Sequence, residues 1–382
     1  MRVRRLAHIP GFSIDEVASA AGSDPDVLRL ENLDTDLRPP AAAIAATRAA
    51  LESDDANSYL PFTGTLELRR AVAERLRKQT NHNWPVEDIV ITAGGTEATL
   101  DVLLATTDPG DEIILTDPCY AGTLNRVRLV GAVPKLVPLL VERGEWRLDV
   151  DALVKAINKK TRALLLMSPS MPSGAVFNRA EWSAIADICR HRSLALIYIA
   201  AMEHILYDGR EYIHPASLPG MKEFTITIGS VSKEQRMIGW RIGWVVAPHE
   251  IAPSIAKAHI YNVVTSPGIT QAGAAAALHA PASDLADCVA EWQRRRDTVL
   301  EQLRNYTVIK PGGGWSLLMD VSKLGHDCDS ASKLMLKRGK IAATPMKNWG
   351  EKNADQYVRL VFSNEPVKRL RELGPRMKKV FK

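Results

Sequence analysis

Cysteine is scarce in this chain of 382 residues, and the four present, Cys119, Cys189, Cys288 and Cys328, stand far apart. No two form a C-x-x-C pair, which argues against a structural zinc site and against a disulfide framework. No apolar run approaches the roughly 18 residues that a membrane span needs. Arg2, Arg4 and Arg5 open the chain, but no apolar stretch follows of the kind a secretory leader carries. Charge of one sign is not in large excess: 49 basic against 44 acidic residues give +5. The one basic concentration, Lys378, Lys379 and Lys382, reads as a solvated helix face rather than a nucleic-acid site. Internal repeats and low-complexity tracts are lacking too. These absences leave a cytoplasmic protein with no metal, nucleic acid or membrane as partner. What is present is ordinary for a soluble globular chain, 46% apolar and 24% charged.

From about residue 60 helical and strand-like pieces alternate. Leu66, Leu68, Ala71, Val72 and Leu76 follow a helical period that ends before Asn81. Short apolar runs at 88–92, 112–116, 162–167, 194–199, 224–228 and 243–247 suit strands buried on both faces, as a parallel sheet requires. Helices between them predict an α/β layer. The last hundred residues read as α+β: a long helix over 285–306, then strands near Val308 and at 316–321, 341–345 and 357–362. The segment before about residue 50 carries Arg38-Pro39-Pro40 and little core of its own, so it is expected to pack on the C-terminal part.

The most informative chemistry lies at Ser230-Val231-Ser232-Lys233, followed by Gly239-Trp240-Arg241-Ile242-Gly243. A lysine after a strand is usually a surface charge. Held in a pocket, it is desolvated, loses its proton and attacks carbonyls. An arginine close by supplies a two-pronged anion site. Upstream, Gly94-Gly95-Thr96-Glu97 forms a turn that opens a helix, whose free amides and positive dipole end favour a phosphate.

Taken together these segments resemble the class I/II aminotransferases, enzymes of pyridoxal-phosphate fold type I similar to aspartate aminotransferase. The family pattern Ser-x-Ser-Lys with a later Gly-Trp-Arg-x-Gly is met at 230–243. Tyr59-Leu60-Pro61-Phe62-Thr63-Gly64 with Leu68-Arg69 is similar to the family's tyrosine loop, Asp117-Pro118-Cys119-Tyr120 to its ring-stacking segment, and Tyr357-Val358-Arg359-Leu360 to its carboxylate-binding strand. Thr265, Ser266 and Gln271 match a segment near the family's dimer interface.

The resemblance implies a large domain over 50–280, with a mixed, mostly parallel seven-stranded sheet between helices. It implies a smaller α+β domain from 1–49 and 281–382, and a homodimer. It implies a Schiff base between Lys233 and pyridoxal 5'-phosphate. Gly95, Thr96, Glu97, Ser230, Ser232, Arg241 and the partner's copy of Tyr59 would hold the phosphate. Tyr120 would stack on the ring, and Arg359 would grip the carboxylate of an amino or keto acid. Leu33 falls near a family glycine that contacts substrate; as a loop residue it could equally pack on the small domain.

Three positions depart together. Where the family has Asn-Pro-x-Asn-Pro-x-Gly, this chain has Ser168-Pro169-Ser170-Met171-Pro172-Ser173-Gly174. Where the family has the aspartate that holds the ring nitrogen's proton, it has Ile199, and where the family has the tyrosine that donates to the phenolic oxygen, it has Met202. An unpaired pyridinium against isoleucine would be a buried lone charge, so the ring nitrogen is expected to be neutral and the electron sink weaker. Two readings stay open. In one, the protein keeps the cofactor and runs amino-acid chemistry that needs less carbanion stabilisation. In the other, it is a diverged enzyme or ligand-binding pseudoenzyme in which Met171, Ile199 and Met202 line an apolar slot.

Overall fold

The structure is a computed structural model that describes residues 6–7, 9–351 and 354–381; Arg2, Arg4, Arg5 and Lys382 lie outside the described residues. In chain order the strands are β1 (Leu28–Leu30), β2 (Ile89–Thr92), β3 (Glu112–Asp117), β4 (Val133–Glu142), β5 (Glu145–Leu148), β6 (Thr161–Met167), β7 (Ala195–Ala200), β8 (Thr225–Ser230), β9 (Gly243–Val246), β10 (Thr307–Ile309), β11 (Ser316–Asp320), β12 (Ile341–Pro345) and β13 (Tyr357–Val361).

Eight strands form the larger sheet in the order β2-β9-β8-β7-β6-β3-β4-β5. The central strands from β8 through β4 run parallel, and β9 lies antiparallel to both β2 and β8. These strands read as continuous apolar runs because helices cover both faces; β2, β3 and β8 are buried at every position. The sheet exceeds the expected seven strands by β5, which folds back on β4. Arg143 (φ 52°) and Gly144 (φ 79°) both take left-handed conformations between the two strands, as a tight hairpin with right-handed twist requires.

The smaller sheet has the order β1-β12-β13-β11-β10. Its N-terminal strand β1 pairs in parallel with β12, so residues 28–30 do join the C-terminal part. The helix Ala41–Leu51 does not, contrary to the sequence reading. It packs on the helix Gly268–Leu278, against the large sheet's side of the molecule. Both helices are rich in alanine, and a Cβ on Gly273 would lie 2.9 Å from the Ala43 carbonyl oxygen. Close approach of small side chains therefore outweighs sequence proximity to β1. Among the described residues no helix is long and apolar enough to cross a membrane.

The C-terminal ends of the parallel strands converge on one crevice. Met167, Ile199 and Ile228 stand side by side in register across β6, β7 and β8. Such a crevice, outside the carboxyl ends of parallel strands, is where α/β sheets bind ligands.

Candidate active site

A cavity of about 280 Å³ lies between the two sheets. It gathers Leu33, Gly95, Thr96, Tyr120, Met171, Ile199, Ser230, Ser232, Lys233, Arg241 and Arg359 from segments more than 300 residues apart in sequence. Lys233 follows β8 directly and is partly buried, facing this space. Its Nζ donates to the Leu33 carbonyl oxygen at 2.8 Å and sits 5.1 Å from the Trp315 ring centroid. No carboxylate pairs with it among the described residues. Burial is the main reason its pKa falls from 10.5 to about 8; Asp34 works against the fall, and the charges of Arg359 and Arg241 add to it. At pH 8 the free amine is therefore on the order of a hundredfold more abundant than on an ordinary lysine. The nucleophilic fraction rises with pH up to and through that value.

The turn carrying Lys233 is anchored from behind. Glu234 accepts from Arg75 Nη2 at 2.6 Å and from the His204 backbone N–H at 2.8 Å. Arg75 also bridges to Glu203 at 2.9 Å, and Glu203 accepts from the Tyr212 hydroxyl at 2.6 Å. This buried network fixes the turn that carries the neighbouring lysine, although Arg75 Nε finds no partner in it among the described residues.

On one side of Lys233 lies an anion cradle. Gly95 opens the helix Gly95–Thr106, and its N-cap, Gly94, offers no side-chain cap, so the first amides are free for a ligand. Gly94 has φ 87°, and a Cβ there would strike the Arg241 guanidinium. Arg241 itself donates to the Ile238 carbonyl oxygen at 3.0 Å, and Ser230 Oγ accepts from the Ser232 N–H at 2.9 Å. The cradle depends on close backbone approach: a Cβ on Gly243 would lie 2.6 Å from both Gly94 C and Gly95 N. Gly243→Ala is therefore expected to cost about 1–3 kcal/mol of stability, read as a lowered Tm, because backbone on both sides must shift.

On the other side, Arg359 from β13 is fully buried. Its Nη2 donates to the Glu31 carbonyl oxygen and, at 3.1 Å, to Thr344 Oγ1. Its Nε and Nη1 are buried without a partner, and the guanidinium lies 4.8 Å from the Trp349 ring centroid. Burial lowers its pKa to about 10, which leaves it charged at neutral pH. Two orphaned N–H groups on a fixed planar fork are what a carboxylate satisfies.

Three expected site residues stand elsewhere. Glu97 turns away from the cradle: it accepts from the Ala93 N–H and lies 2.7 Å from His259 Nδ1, while His259 Nε2 donates to the Phe62 carbonyl oxygen at 3.0 Å. Burial opposes the His259 cation, but the carboxylates of Asp101 and Glu97 hold its pKa up at about 9. Glu97 thus braces the cradle turn instead of facing a ligand. A carboxylate there would in any case repel a phosphate. Met202 does not line the cavity. It is buried in the apolar cluster beneath the smaller sheet, beside Gly314, so the apolar slot consists of Met171, Ile199 and the unexpected Met167. Tyr59 is 82% exposed and lies outside the cavity of its own chain.

The sequence reading missed Arg126, Thr99, Thr123, Phe12, Ile14 and Asn32, all of which line the cavity. Thr123 and Arg126 stand three residues apart on the helix Ala121–Leu129 and so share one face, directly after the N-cap Tyr120.

A buried lysine at the carboxyl ends of parallel strands, with a glycine-rich helix start on one side and a partly unsatisfied arginine fork on the other, is the arrangement that a transferase acting on small anionic substrates requires. Residues 26–373 match the family described as aminotransferase class I and II, and the chain belongs to it. It is 32% identical over 383 residues to an aspartate aminotransferase of Pyrococcus abyssi, covering 99% of this chain and 97% of that protein. It is 32% identical over 348 residues to the arginine–pyruvate transaminase of Pseudomonas aeruginosa, covering 90% and 88%. The solved structure of the N-succinyldiaminopimelate aminotransferase from Mycobacterium tuberculosis superposes with a TM-score of 0.93 at 29% identity, covering 99% of each chain.

Proposed function

We propose that the protein binds pyridoxal 5'-phosphate at Lys233 and acts on an amino acid or its keto acid, with a weaker electron sink than its relatives. The observation that carries this reading is the Lys233 amine, with its pKa near 8, standing between the cradle and the orphaned Arg359 fork. The residues fit the cofactor's phosphate and aldehyde. Gly95, Thr96, Ser230, Ser232 and Arg241 would hold the phosphate, and Tyr120 would cover the ring. When bound, the ring draws electron density from the substrate's α-carbon as its proton leaves. Arg359 holds the substrate carboxylate and so turns the α-carbon toward Lys233. Lys233 would be the base that takes that proton. Phe12, Ile14 and Leu33 line the space nearby and exclude water.

Around the ring the fit is apolar. Ile199 and Met171 offer neither the carboxylate nor the amide donor of the family pattern. Met171→Asn, which restores a donor, is expected to tighten cofactor binding about five- to tenfold, measured by titration of the apoprotein. The test of the reading as a whole is an absorbance scan of the protein after incubation with excess cofactor and removal of the unbound cofactor by gel filtration. A band between roughly 330 and 430 nm that moves on addition of an amino acid is expected; no band would refute it. A second reading, a different ligand in the slot of Met167, Met171 and Ile199, predicts that Lys233→Ala leaves activity intact.

Assembly as a homodimer is part of this proposal. Tyr59 (82% exposed) and Tyr261 (87% exposed) leave large aromatic surface uncovered in a single chain. Gel filtration at twice the chain mass is the expected result.

A further inference from the structure

The cavity lining carries four cationic side chains, Lys233, Arg241, Arg359 and Arg126, and no aspartate or glutamate. The first three have tasks: amine, phosphate and substrate carboxylate. Arg126 has none so far. Among the described residues its one hydrogen bond is from Nη1 to the Gly122 carbonyl oxygen of its own helix, at 2.6 Å. No acid partners it there, and burial pulls its pKa down. A half-buried guanidinium with a single neutral acceptor and no acid is costly unless a ligand supplies another acceptor.

Its place in the cavity says which ligand atom that is. One wall, Phe12, Ile14, Asn32, Leu33 and Arg359, belongs to the N-terminal segments and the smaller sheet. The opposite wall, Met167, Ile199 and Ile228, belongs to the larger sheet. The helix that bears Arg126, Ala121–Leu129, packs on this second wall: its Leu124 and Val127 share one apolar cluster with Ile199 and Ile228. Ile199 stands where the family pattern has the carboxylate that meets the ring nitrogen. Here the carboxylate is gone and the arginine is unpaired.

We propose that Arg126 is the partner of the cofactor's ring nitrogen, donating an N–H to it while the nitrogen stays unprotonated. This rests on the cofactor reading given above. A guanidinium keeps its own proton and cannot give it up at working pH, so the ring gains a hydrogen bond and a nearby positive field without becoming a pyridinium. With the cofactor bound, the Arg126 charge would also disfavour further positive charge on the Lys233 nitrogen.

The experiment follows the pH at which the visible band of the reconstituted protein changes, in the wild type, Arg126→Leu and Arg126→Lys, together with cofactor affinity. Arg126→Leu is expected to raise that transition by about one pH unit, since a disfavouring cation is removed. It is also expected to weaken cofactor binding about tenfold. Arg126→Lys, which keeps the charge but not the planar donor, is expected to hold the transition near that of the wild type. An unchanged transition in Arg126→Leu overturns the proposal while leaving the cofactor reading in place. So does a raised KM for an amino dicarboxylic acid with transition and affinity unchanged, because the guanidinium would then serve the substrate. A wild type that gains no band overturns the cofactor reading and this inference with it.

Discussion

Lys233→Ala is expected to lose the visible cofactor band and to slow turnover by at least about 10²–10⁴-fold, the range that a positioned acid–base group contributes. The loss combines two roles in one amine. As nucleophile, Nζ is held ready by burial and by Arg359 and Arg241, which together bring its pKa to about 8. As base, in the proposed function, it would take a proton that Arg359 turns toward it. Alanine provides neither, and among the described residues the contacts it breaks are the hydrogen bond to the Leu33 carbonyl oxygen and the approach to the Trp315 ring. Folding should therefore survive, because these contacts lie at a cavity edge and an unpaired buried ammonium is itself a burden. Circular dichroism and Tm close to those of the wild type, with activity gone, are the expected pair of results. An added small primary amine should restore part of the rate, more so as pH rises through the amine's own pKa.

Arg359→Leu is expected to raise KM for the substrate by about 10²-fold or more, with cofactor affinity nearly unchanged. The reasoning is that of a buried charge pair: a fixed guanidinium with two unsatisfied N–H groups gains about 2–5 kcal/mol from a matching carboxylate. Leucine replaces only the aliphatic stem and gives up the guanidinium's contact with the Trp349 ring, while the lost fork falls on substrate binding. Because Thr344 Oγ1 and the Glu31 carbonyl oxygen lose a donor, a modest drop in stability accompanies it. Arg359→Lys separates charge from geometry, since an ammonium presents one point instead of a fork. A KM between those of the wild type and the leucine variant is expected.

Most of the fold was legible in the sequence where the pattern was strong. The runs at 112–116, 162–167 and 243–247 became β3, β6 and β9 within a residue or so, because a strand covered on both faces has to be apolar throughout. The β4–β5 hairpin was not legible. Val133–Glu142 alternates poorly and is largely exposed toward its end, and the turn places an arginine at φ 52°, a conformation that glycine or asparagine usually announces. The helix Ala41–Leu51 was assigned by proximity in sequence, but its packing depends on alanine facing alanine across the fold, which no local period reveals. Lys233, Arg241 and Arg359, each read from a recognisable strand or turn, all line the cavity. Glu97 was misplaced because its spacing fits the cradle while its rotamer answers to His259, 162 residues away. Met202 was misplaced for a related reason: aligned spacing fixes where a backbone runs, and the side chain then follows the nearest apolar cluster.

The account depends on Lys233 carrying the cofactor. Its most direct test is to soak the purified protein with pyridoxal 5'-phosphate, reduce with borohydride, digest and weigh the peptides. One cofactor adduct on the peptide containing Lys233, absent when excess amino acid competes before reduction, is the expected result. An unmodified Lys233, or adducts scattered over surface lysines alone, would contradict it.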